Sequence, residues 1–411
     1  MNGLASLPSL DAAQCEALRR RAIFDCCKWD PQVEDTPSLA PFPLVLEADA
    51  WSRLAGAAEA LARETLAAEE ELVQRPDLHR RLGLPGAVRR RLQEIPRLGT
   101  TAGVARVMRF DFHPTAEGWR VSEVNSDVPG GFIEAAGVAR LVSSHYGGFE
   151  PPGDPARALA DAAAREAPPG GLVCLVHATA YTDDRQVMAY IGRELEGRGL
   201  RACLASPAHL RWTDGRARLV CDWLDAPVDL LLRFFPAEWL PETPAACGWP
   251  AFFRGGRTPV ANPAHALLTQ SKRLPLVWDE LKTPLDAWRA LLPETRSPRD
   301  APARDPAWVL KPAFGRVGEA IGLVGVAEPK ALRSATRHAR WHPRHWVAQR
   351  RFESLPVATT AGAFHACVGV FTVDGRAAGA YGRVARRPLI DWRAQDAAVL
   401  VAREQEACRG V

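Results

Sequence analysis

The amino-acid sequence predicts an α/β (α+β) fold that begins with a helical region. Residues 48–98 are rich in Ala, Leu, Glu and Arg, which are strong helix formers. Residues 171–206 contain an apolar run, an amphipathic segment and a second apolar run, which predict a strand, a helix and a parallel strand. Residues 104–127 form two alternating runs around the turn-forming segment PTAEG, which is typical of a β-hairpin. Strands and helices that alternate in this way favour a mixed fold.

The other elements follow in chain order from the same signals. Helical spacing of apolar residues predicts a first helix within 9–28. The Pro, Gly and Ala residues of 150–170 indicate a linker. The apolar run 228–235 indicates a further strand of the strand-helix-strand sheet. A helical stretch is expected to start within 271–283, and residues 307–384 alternate short strands with glycines.

The composition excludes several classes of protein. Hydrophobic residues make up 47% of the 411 residues, so the chain has enough apolar surface to fold as a globular protein. The 52 basic and 48 acidic residues give a formal charge of only +4, which does not favour nucleic acid as a partner. No apolar run approaches the ~20 residues of a membrane span, and the nine cysteines are scattered without a repeated spacing. Because no apolar segment follows a basic start, we expect a cytoplasmic protein without a membrane partner.

Lysine is rare in this arginine-rich chain, which has five lysines and 47 arginines. The guanidinium group of arginine is a planar fork, whereas the ammonium group of lysine is compact, so a narrow phosphate site can require lysine. Lys311 ends a predicted strand before a glycine-containing loop, whereas Lys272 lies at or near the start of a predicted helix, where a surface lysine is the alternative. Both are therefore candidates for phosphate binding.

The predicted hairpin carries several polar side chains on one face. Because side chains alternate along a strand, Arg109 and Asp111 share a face, as do Glu123, Asn125 and Asp127 on the returning strand. A turn centred on PTAEG brings Asp111 opposite Glu123 and Arg109 opposite Asn125, with Cβ atoms about 5 Å apart. Carboxylate and amide oxygens are the ligands that Mg²⁺ prefers, and an adjacent arginine suits a phosphate bridged by the metal. The alternative is a solvated face whose charges alternate for solubility.

A second candidate is the segment 308–324, in which one strand ends at Lys311 and a glycine-containing loop leads to another strand. Gly315, Arg316 and Gly318 lie in this loop. Its backbone N–H groups can approach phosphate oxygens closely because glycine has no Cβ. The loop lacks the GK[ST] sequence of a Walker A motif, and a plain hairpin turn with glycines is the alternative.

Three later features are weaker by themselves. Gln349 lies in a predicted strand within 346–357, and Arg383 follows a glycine-rich turn within 375–391. The arginine- and histidine-rich segment 333–346 is better explained as a solvated face than as a nucleic-acid or metal site.

Taken together and in this order, the motifs resemble those of the glutathionylspermidine synthase family of ATP-grasp ligases. The family pattern has R-x-D, E-x-N-x-D-x-P, N-P followed by S-N-K and L-P-x-L-W, then K-P-x-x-G-R-E-G, a strand with Gln, and G-x-x-x-R. The corresponding segments here are RFD (109–111), EVNSDVP (123–129), NPAHALLTQSKRLPLVW (262–278), KPAFGRVG (311–318), Gln349 and GAYGR (379–383). The resemblance extends over most of the chain, from about residue 20 to residue 391.

The resemblance implies an ATP-grasp fold with a pre-ATP-grasp-like α/β segment and a helical N-terminal region. Four segments are expected: a mainly helical region (1–100), a metal-binding β-hairpin of the ATP-grasp core (101–150), a pre-ATP-grasp-like α/β substrate domain (151–260) and the nucleotide-binding lobes (261–411).

The resemblance also implies an activity and its site residues. The activity is amide formation between a carboxylate, peptides included, and an amine, through an acyl-phosphate that uses ATP and Mg²⁺ and releases ADP and phosphate. The expected Mg²⁺ ligands are Asp111, Glu123 and Asn125. The expected catalytic residues are Arg109 and Arg383. The expected nucleotide-binding residues are Lys272, Lys311, Gly315, Arg316, Gly318 and Gln349.

The sequence departs from the family pattern at positions that bear on the substrates. Val317 replaces the glutamate of the GREG loop, and an acidic D-D-E-E stretch of the acceptor site reads TDDRQ at 182–186. A polyamine needs carboxylates to receive its ammonium groups, so the altered stretch bears on the acceptor. Two alternatives therefore remain at the level of sequence: a nucleotide-binding protein without catalysis, and a kinase that releases a phosphorylated small molecule.

Overall fold

The computed structural model describes residues 2–30, 32–33, 36–95, 105–254, 256–301, 305–316 and 321–403. Within these residues the strands form five sheets, and helices pack against the larger ones. No helix in the described part of the chain is long and apolar enough to cross a membrane.

The largest sheet has nine strands and joins segments from the beginning, the middle and the end of the chain. Seven strands follow one another in space: Leu4–Ser6, Leu44–Leu46, Gln395–Ala402, Arg376–Ala385, Gly362–Val373, Val107–Thr115 and Gly118–Asn125. Two short strands extend it, since Pro356–Thr359 pairs with Gly362–Val373 and Phe149–Glu150 pairs with Gln395–Ala402. We call this the central sheet.

A long helix, Ala48–Val73, covers one face of the central sheet. Its buried positions include Leu54, Ala58 and Leu61, which recur at the spacing of one helix face. These side chains belong to the same apolar cluster as Phe110 of the hairpin. The predicted helical character of this region is confirmed, and two shorter helices follow it at Pro76–His79 and Gly86–Leu92.

The predicted strand-helix-strand unit forms a parallel sheet of four strands. Its spatial order is Val260–Ala261, Leu230–Arg233, Leu172–Val176 and Arg201–Ala205. The helix Thr182–Glu196 connects the last two strands, as the sequence predicts. The strand expected within 228–235 also lies in this sheet.

The linker expected at 150–170 is wrong, because a helix spans Pro155–Glu166. Asp154 caps this helix by accepting a hydrogen bond from the N–H of Arg157, and Pro155 occupies its first turn. Buried alanines pack its inner face. The Pro and Ala residues that suggested a linker therefore start and pack a helix.

A smaller antiparallel sheet carries the candidate nucleotide residues. Its strands are, in spatial order, Thr295–Arg296, Trp346–Arg350, Trp308–Pro312 and Gly322–Leu323. The helix Pro329–Trp341 packs against it through Ala335 and Ala339. We call it the small sheet. The two predicted strands on either side of the glycine-containing loop are confirmed.

The helix expected from 271–283 is wrong. Leu274–Leu276 and Trp278–Glu280 form two single 3₁₀ turns instead, and short helices flank them at Leu267–Gln270 and Asp286–Leu291. Pro275 lacks the N–H that a continuous helix would need.

The remaining elements are the first helix and several short strands and helical segments. The first helix, Ala12–Cys26, begins after Asp11, which forms a capping box with Gln14. The short strands are Gln32–Val33, Thr36–Pro37, Leu210–Thr213, Arg216–Cys221 and Leu224–Pro227. The other helical segments are Glu134–Val138, Ala139–Ser143, Pro207–His209, Ala237–Glu242, Ala245–Cys247, Ala251–Arg254, Ala264–Ala266 and Pro343–His345. The four domain boundaries stay a prediction.

Candidate functional site

A cavity of about 800 Å³ lies where the central sheet, the small sheet and the helix Thr182–Glu196 approach one another. Every described residue of the predicted site lines this cavity. These residues are Arg109, Asp111, Glu123, Asn125, Lys272, Lys311, Gly315, Arg316, Gln349 and Arg383. Gly318 and Val317 lie outside the described residues.

The hairpin has the register that its alternation predicts. Arg109 lies opposite Asn125 and Asp111 lies opposite Glu123, with a bulge directly after Asp111. The Asp111 carboxylate accepts hydrogen bonds from Nε and Nη2 of Arg109, at 2.7 and 2.9 Å. It also accepts one from Nδ2 of Asn125 at 3.2 Å. Asp111 is therefore buried and hydrogen-bonded to both Arg109 and Asn125.

Arg109 is fixed by groups that the sequence did not single out. Its Nη1 donates to the carbonyl of Gly130 at 2.6 Å, and its guanidinium lies 5.0 Å from the ring centre of Tyr381. A Cβ at Gly369 would lie 2.8 Å from Cδ of Arg109, so only glycine leaves room for the side chain. Burial lowers the pKa of Arg109, but several neighbours, Asp111 first among them, together outweigh burial and hold it well above its usual value. The available signal was the glycine within the apolar strand Gly362–Val373.

The two retained lysines meet at the hairpin. Lys272 Nζ lies 3.0 Å from Oε2 of Glu123 and donates to the carbonyl of Gly315 at 2.7 Å. Lys311 Nζ donates to Oε1 of Gln349 at 2.7 Å. Lys272 therefore joins the hairpin to the glycine-containing loop, and Lys311 joins two strands of the small sheet.

Burial and the neighbouring charges shift the pKa values of Glu123 and Lys311. Burial raises the pKa of Glu123, but Lys272 and Lys311 outweigh burial and bring it down to about 2. Burial lowers the pKa of Lys311 to about 8, although Glu123 acts in the opposite direction. Glu123 is thus ionised at neutral pH, and Lys311 is held near the point where it loses its proton.

Arg316 lies at the junction of the loop with another part of the cavity wall. Its Nη2 donates to Oε1 of Glu238 at 2.9 Å and lies 3.7 Å from Oδ2 of Asp127. Its guanidinium stands 5.7 Å from the ring centre of Trp239. These contacts direct Arg316 toward acidic residues, and its role with nucleotide stays a prediction.

Arg383 follows a turn, as expected, but lies well inside the strand Arg376–Ala385, which begins directly after the turn residues Asp374 and Gly375. Gly379 and Gly382 are part of this strand. Its Nη2 donates to the carbonyl of Asp391 at 2.7 Å, and its Nε lies 3.8 Å from Oδ1 of Asp396. Its side chain lines the cavity.

The cavity also has an acidic end, of which sequence reasoning singled out only the stretch 182–186. Lys28 is buried there among the carboxylates of Asp30, Glu134 and Asp396. Farther along the wall, Asp183 and Asp184 begin the helix Thr182–Glu196 and also line the cavity. Burial raises the pKa of Asp184 to about 6. The signal available for Lys28 was the rarity of lysine, which applies to it as much as to the two lysines chosen.

Comparison with known proteins identifies the family. The sequence model described as glutathionylspermidine synthase preATP-grasp matches residues 43–399. The chain belongs to this family. Membership points to a ligase that forms a C–N bond. No curated protein matches the sequence.

Solved structures show the fold. A glutathione synthetase-like effector from Globodera pallida, in its apo form, aligns with a TM-score of 0.64 and 11% identity, over 94% of this chain and 96% of that chain. The family's fold is thus present here: a glutathione-synthetase-like ATP-grasp fold. A Methylobacillus flagellatus protein assigned as a gamma-glutamylcysteine synthetase aligns with a TM-score of only 0.43 and 15% identity, over 78% of this chain and 82% of that chain.

Proposed function

We propose that this protein is an ATP-dependent ligase that joins a small-molecule or peptide carboxylate to an amine. The observation that carries the proposal is the convergence of Lys272, Lys311 and the hairpin carboxylate of Glu123 on one cavity wall. Two compact cations beside an ionised carboxylate suit a phosphate chain with a bound divalent cation. The cavity volume of about 800 Å³ lies within the roughly 300–1,000 Å³ of small-molecule sites.

On the nucleotide side, Lys272 and Lys311 would hold phosphate oxygens. The carbonyl of Gly315 accepts from Lys272, so phosphates bound to this lysine would lie close to Gly315. Gln349 accepts from Lys311 and fixes the direction of its ammonium group. Gln349 would therefore position Lys311.

The hairpin fits Mg²⁺ by the chemistry of its donors. Asp111 and Glu123 face each other and Asn125 adjoins Asp111, so three residues bring hard oxygen ligands to the cavity. The described residues contain no cluster of three or more His, Cys, Asp or Glu side chains that could hold a metal by themselves. A bound Mg²⁺ would therefore take further ligands from phosphate and water, and it would supply charge neutralisation during phosphoryl transfer.

The proposed reaction has two steps. A carboxylate oxygen of the first substrate attacks the γ-phosphorus of ATP, the bond to ADP breaks, and an acyl-phosphate forms. The nitrogen of the amine then attacks the carbonyl carbon, and phosphate leaves. Arg109 and Arg383 line the cavity and would bind the negative oxygens of the phosphoryl group. Asp111 holds the Arg109 guanidinium by two hydrogen bonds, which fixes its orientation.

The test measures ADP, free phosphate and product mass together. Purified protein is incubated with Mg·ATP and pooled acids, short peptides and amines. A ligase gives ADP and phosphate in equal amounts, and a product whose mass is acid plus amine minus water. A phosphorylated product without free phosphate would show a kinase instead.

Variants connect the activity to the cavity. We expect Lys311→Met and Asp111→Asn each to lower turnover at least about a hundredfold, because phosphoryl transfer depends on positioned charges. Lys330→Met and Asp214→Asn are matched controls, since both residues are exposed and neither lines the cavity. If Lys311→Met and Asp111→Asn fold and turn over like the controls, the proposed site is refuted.

A further inference from the structure

Lys28 is a buried ammonium group held by three carboxylates. Its Nζ lies 2.5 Å from Oε1 of Glu134, 3.1 Å from Oδ2 of Asp396 and 3.2 Å from Asp30. Only 4% of the Lys28 side chain is exposed. Burial alone lowers the pKa of Lys28, but the three carboxylates outweigh burial and keep it well above its usual value. Lys28 is therefore a permanent cation.

These groups belong to the cavity rather than to the interior of the fold. Lys28 and its three acidic partners all line the cavity. Ser38 lines it as well. Only 6% of this residue is exposed, and its buried Oγ has no hydrogen-bond partner. A buried hydroxyl without a partner indicates a place where a ligand can supply the missing hydrogen bond. The acidic end is thus built as part of a binding site.

The acidic end adjoins the proposed reaction centre. Asp396 contacts both Lys28 and, at 3.8 Å, Nε of Arg383, one of the two proposed catalytic arginines. On the other side, Asp30 accepts a hydrogen bond from Nε2 of Gln186, on the helix that carries Asp183 and Asp184. A substrate beside Arg383 that extends toward this helix would pass Lys28.

We propose that Lys28 determines acceptor specificity: its fixed ammonium group engages three carboxylates of the acidic end and disfavours acceptors with additional cationic groups. The inference rests on the proposed ligase function of the same cavity. Without Lys28, the carboxylates of Asp30, Glu134 and Asp396 would face the cavity without a cation and would attract the additional ammonium groups of a polyamine. With Lys28 present, one of these charges is neutralised and a second substrate ammonium group has a like charge nearby, so it is held less strongly.

The experiment measures the binding of spermidine, a triamine, by isothermal titration calorimetry in the absence of ATP. The wild type should bind it weakly, and Lys28→Met should bind it at least about tenfold more tightly, because methionine has a similar length but no charge. The gain should shrink at high ionic strength, where exposed charges are screened. The exposed lysine variant Lys330→Met is the matched control and should bind spermidine like the wild type.

Two outcomes would overturn the inference. The first is a wild type that already binds spermidine as tightly as Lys28→Met does. The second is a folded Lys28→Met variant, judged by thermal unfolding, with unchanged spermidine affinity. If Lys28→Met does not fold, the double variant Lys28→Met/Asp396→Asn removes one charge of each sign and undergoes the same measurement, with at least about a threefold gain expected.

The ligase proposal and the specificity inference can fail separately. ATP binding and product formation by the wild type test the ligase, whereas spermidine binding by the variants needs no catalysis. A wild type without ATP binding, together with a gain in Lys28→Met, would refute the ligase and keep the role of Lys28. In an active enzyme, monoamine acceptors should form product more efficiently than spermidine.

Discussion

Replacing Asp127 by asparagine should destabilise the whole fold, because Asp127 joins the hairpin to the parallel sheet. Its Oδ1 lies 2.5 Å from Nη2 of Arg233, and neither side chain has any exposed surface. Its Oδ2 accepts from the N–H of Ala237 at 3.0 Å. Arg233 also donates to the carbonyl of Asn262 at 3.0 Å. The substitution keeps the shape of the side chain but leaves the Arg233 cation without its anion.

The expected cost follows from the burial of the pair. Removing one partner of a fully buried ion pair costs about 3–5 kcal/mol, because the remaining charge stays in a medium of low dielectric. The asparagine NH₂ group also turns a donor toward either Arg233 or the Ala237 N–H, so one hydrogen bond is lost whichever way the amide points. With a urea m-value of about 3 kcal/mol/M, the unfolding midpoint should fall by roughly 1 M or more.

Urea unfolding followed by circular dichroism measures this shift, and the chain supplies a matched control. Nε of Arg218 also lies 2.5 Å from Oδ1 of Asp225, but these side chains are 47% and 58% exposed. Asp225→Asn should therefore cost at most about 1 kcal/mol. The two pairs share chemistry and distance and differ in burial. Equal midpoint shifts for Asp127→Asn and Asp225→Asn would refute the argument that burial sets the cost.

Two further predictions concern the cavity. Gly369→Ala should lower ATP-dependent turnover about tenfold or more while the protein stays folded, because the added Cβ would lie 2.8 Å from Cδ of Arg109 and displace this proposed catalytic group. The control is Gly147→Ala, whose added Cβ meets no atom within 4 Å. Equal turnover of the two variants would count against the role of Arg109. The affinity for ATP should fall about twentyfold between about pH 7.5 and about pH 9.5, since Lys311 with a pKa of about 8 is mostly protonated at the lower pH and mostly neutral at the higher one. Lys311→Met should remove most of this pH dependence in a calorimetric titration, and a wild-type affinity that stays constant over the range would contradict it.

Local pattern was sufficient to predict the hairpin and its register. Side chains alternate with a period of two, so a known turn leaves one pairing that buries Phe110 and Phe112 and directs Asp111 toward Glu123. The strands that carry Lys311 and Gln349 were equally predictable, because each is a short apolar run. The order of these motifs was sufficient to recognise the family.

Local sequence pattern could not predict contacts between residues that lie far apart in the chain. Lys28 meets Asp396, 368 residues later in the sequence, where the first helix and the strand Gln395–Ala402 both pack against the segment Glu134–Val138. No periodicity in the helix or the strand predicts that contact. The helix Pro155–Glu166 was missed for a different reason: proline and alanine were taken as linker composition, although Pro directly after an Asp is also a helix start.

The distribution of lysine nevertheless connects the sequence to the cavity. Lys28, Lys272 and Lys311 line the cavity, whereas Lys282 and Lys330 are exposed. The contacts of Lys28 explain why arginine does not replace lysine there. An ammonium group has three donors that can rotate toward three separate carboxylates, and its Nζ has acidic oxygens of Glu134, Asp396 and Asp30 within 3.2 Å. The donors of a guanidinium group are fixed in one plane and need more space. In a chain with 47 arginines, a lysine in the cavity wall therefore marks a point where acceptors converge on one small cation. Lys272 and Lys311 mark such points at the hairpin end of the proposed reaction site, and Lys28 marks one at the acidic end.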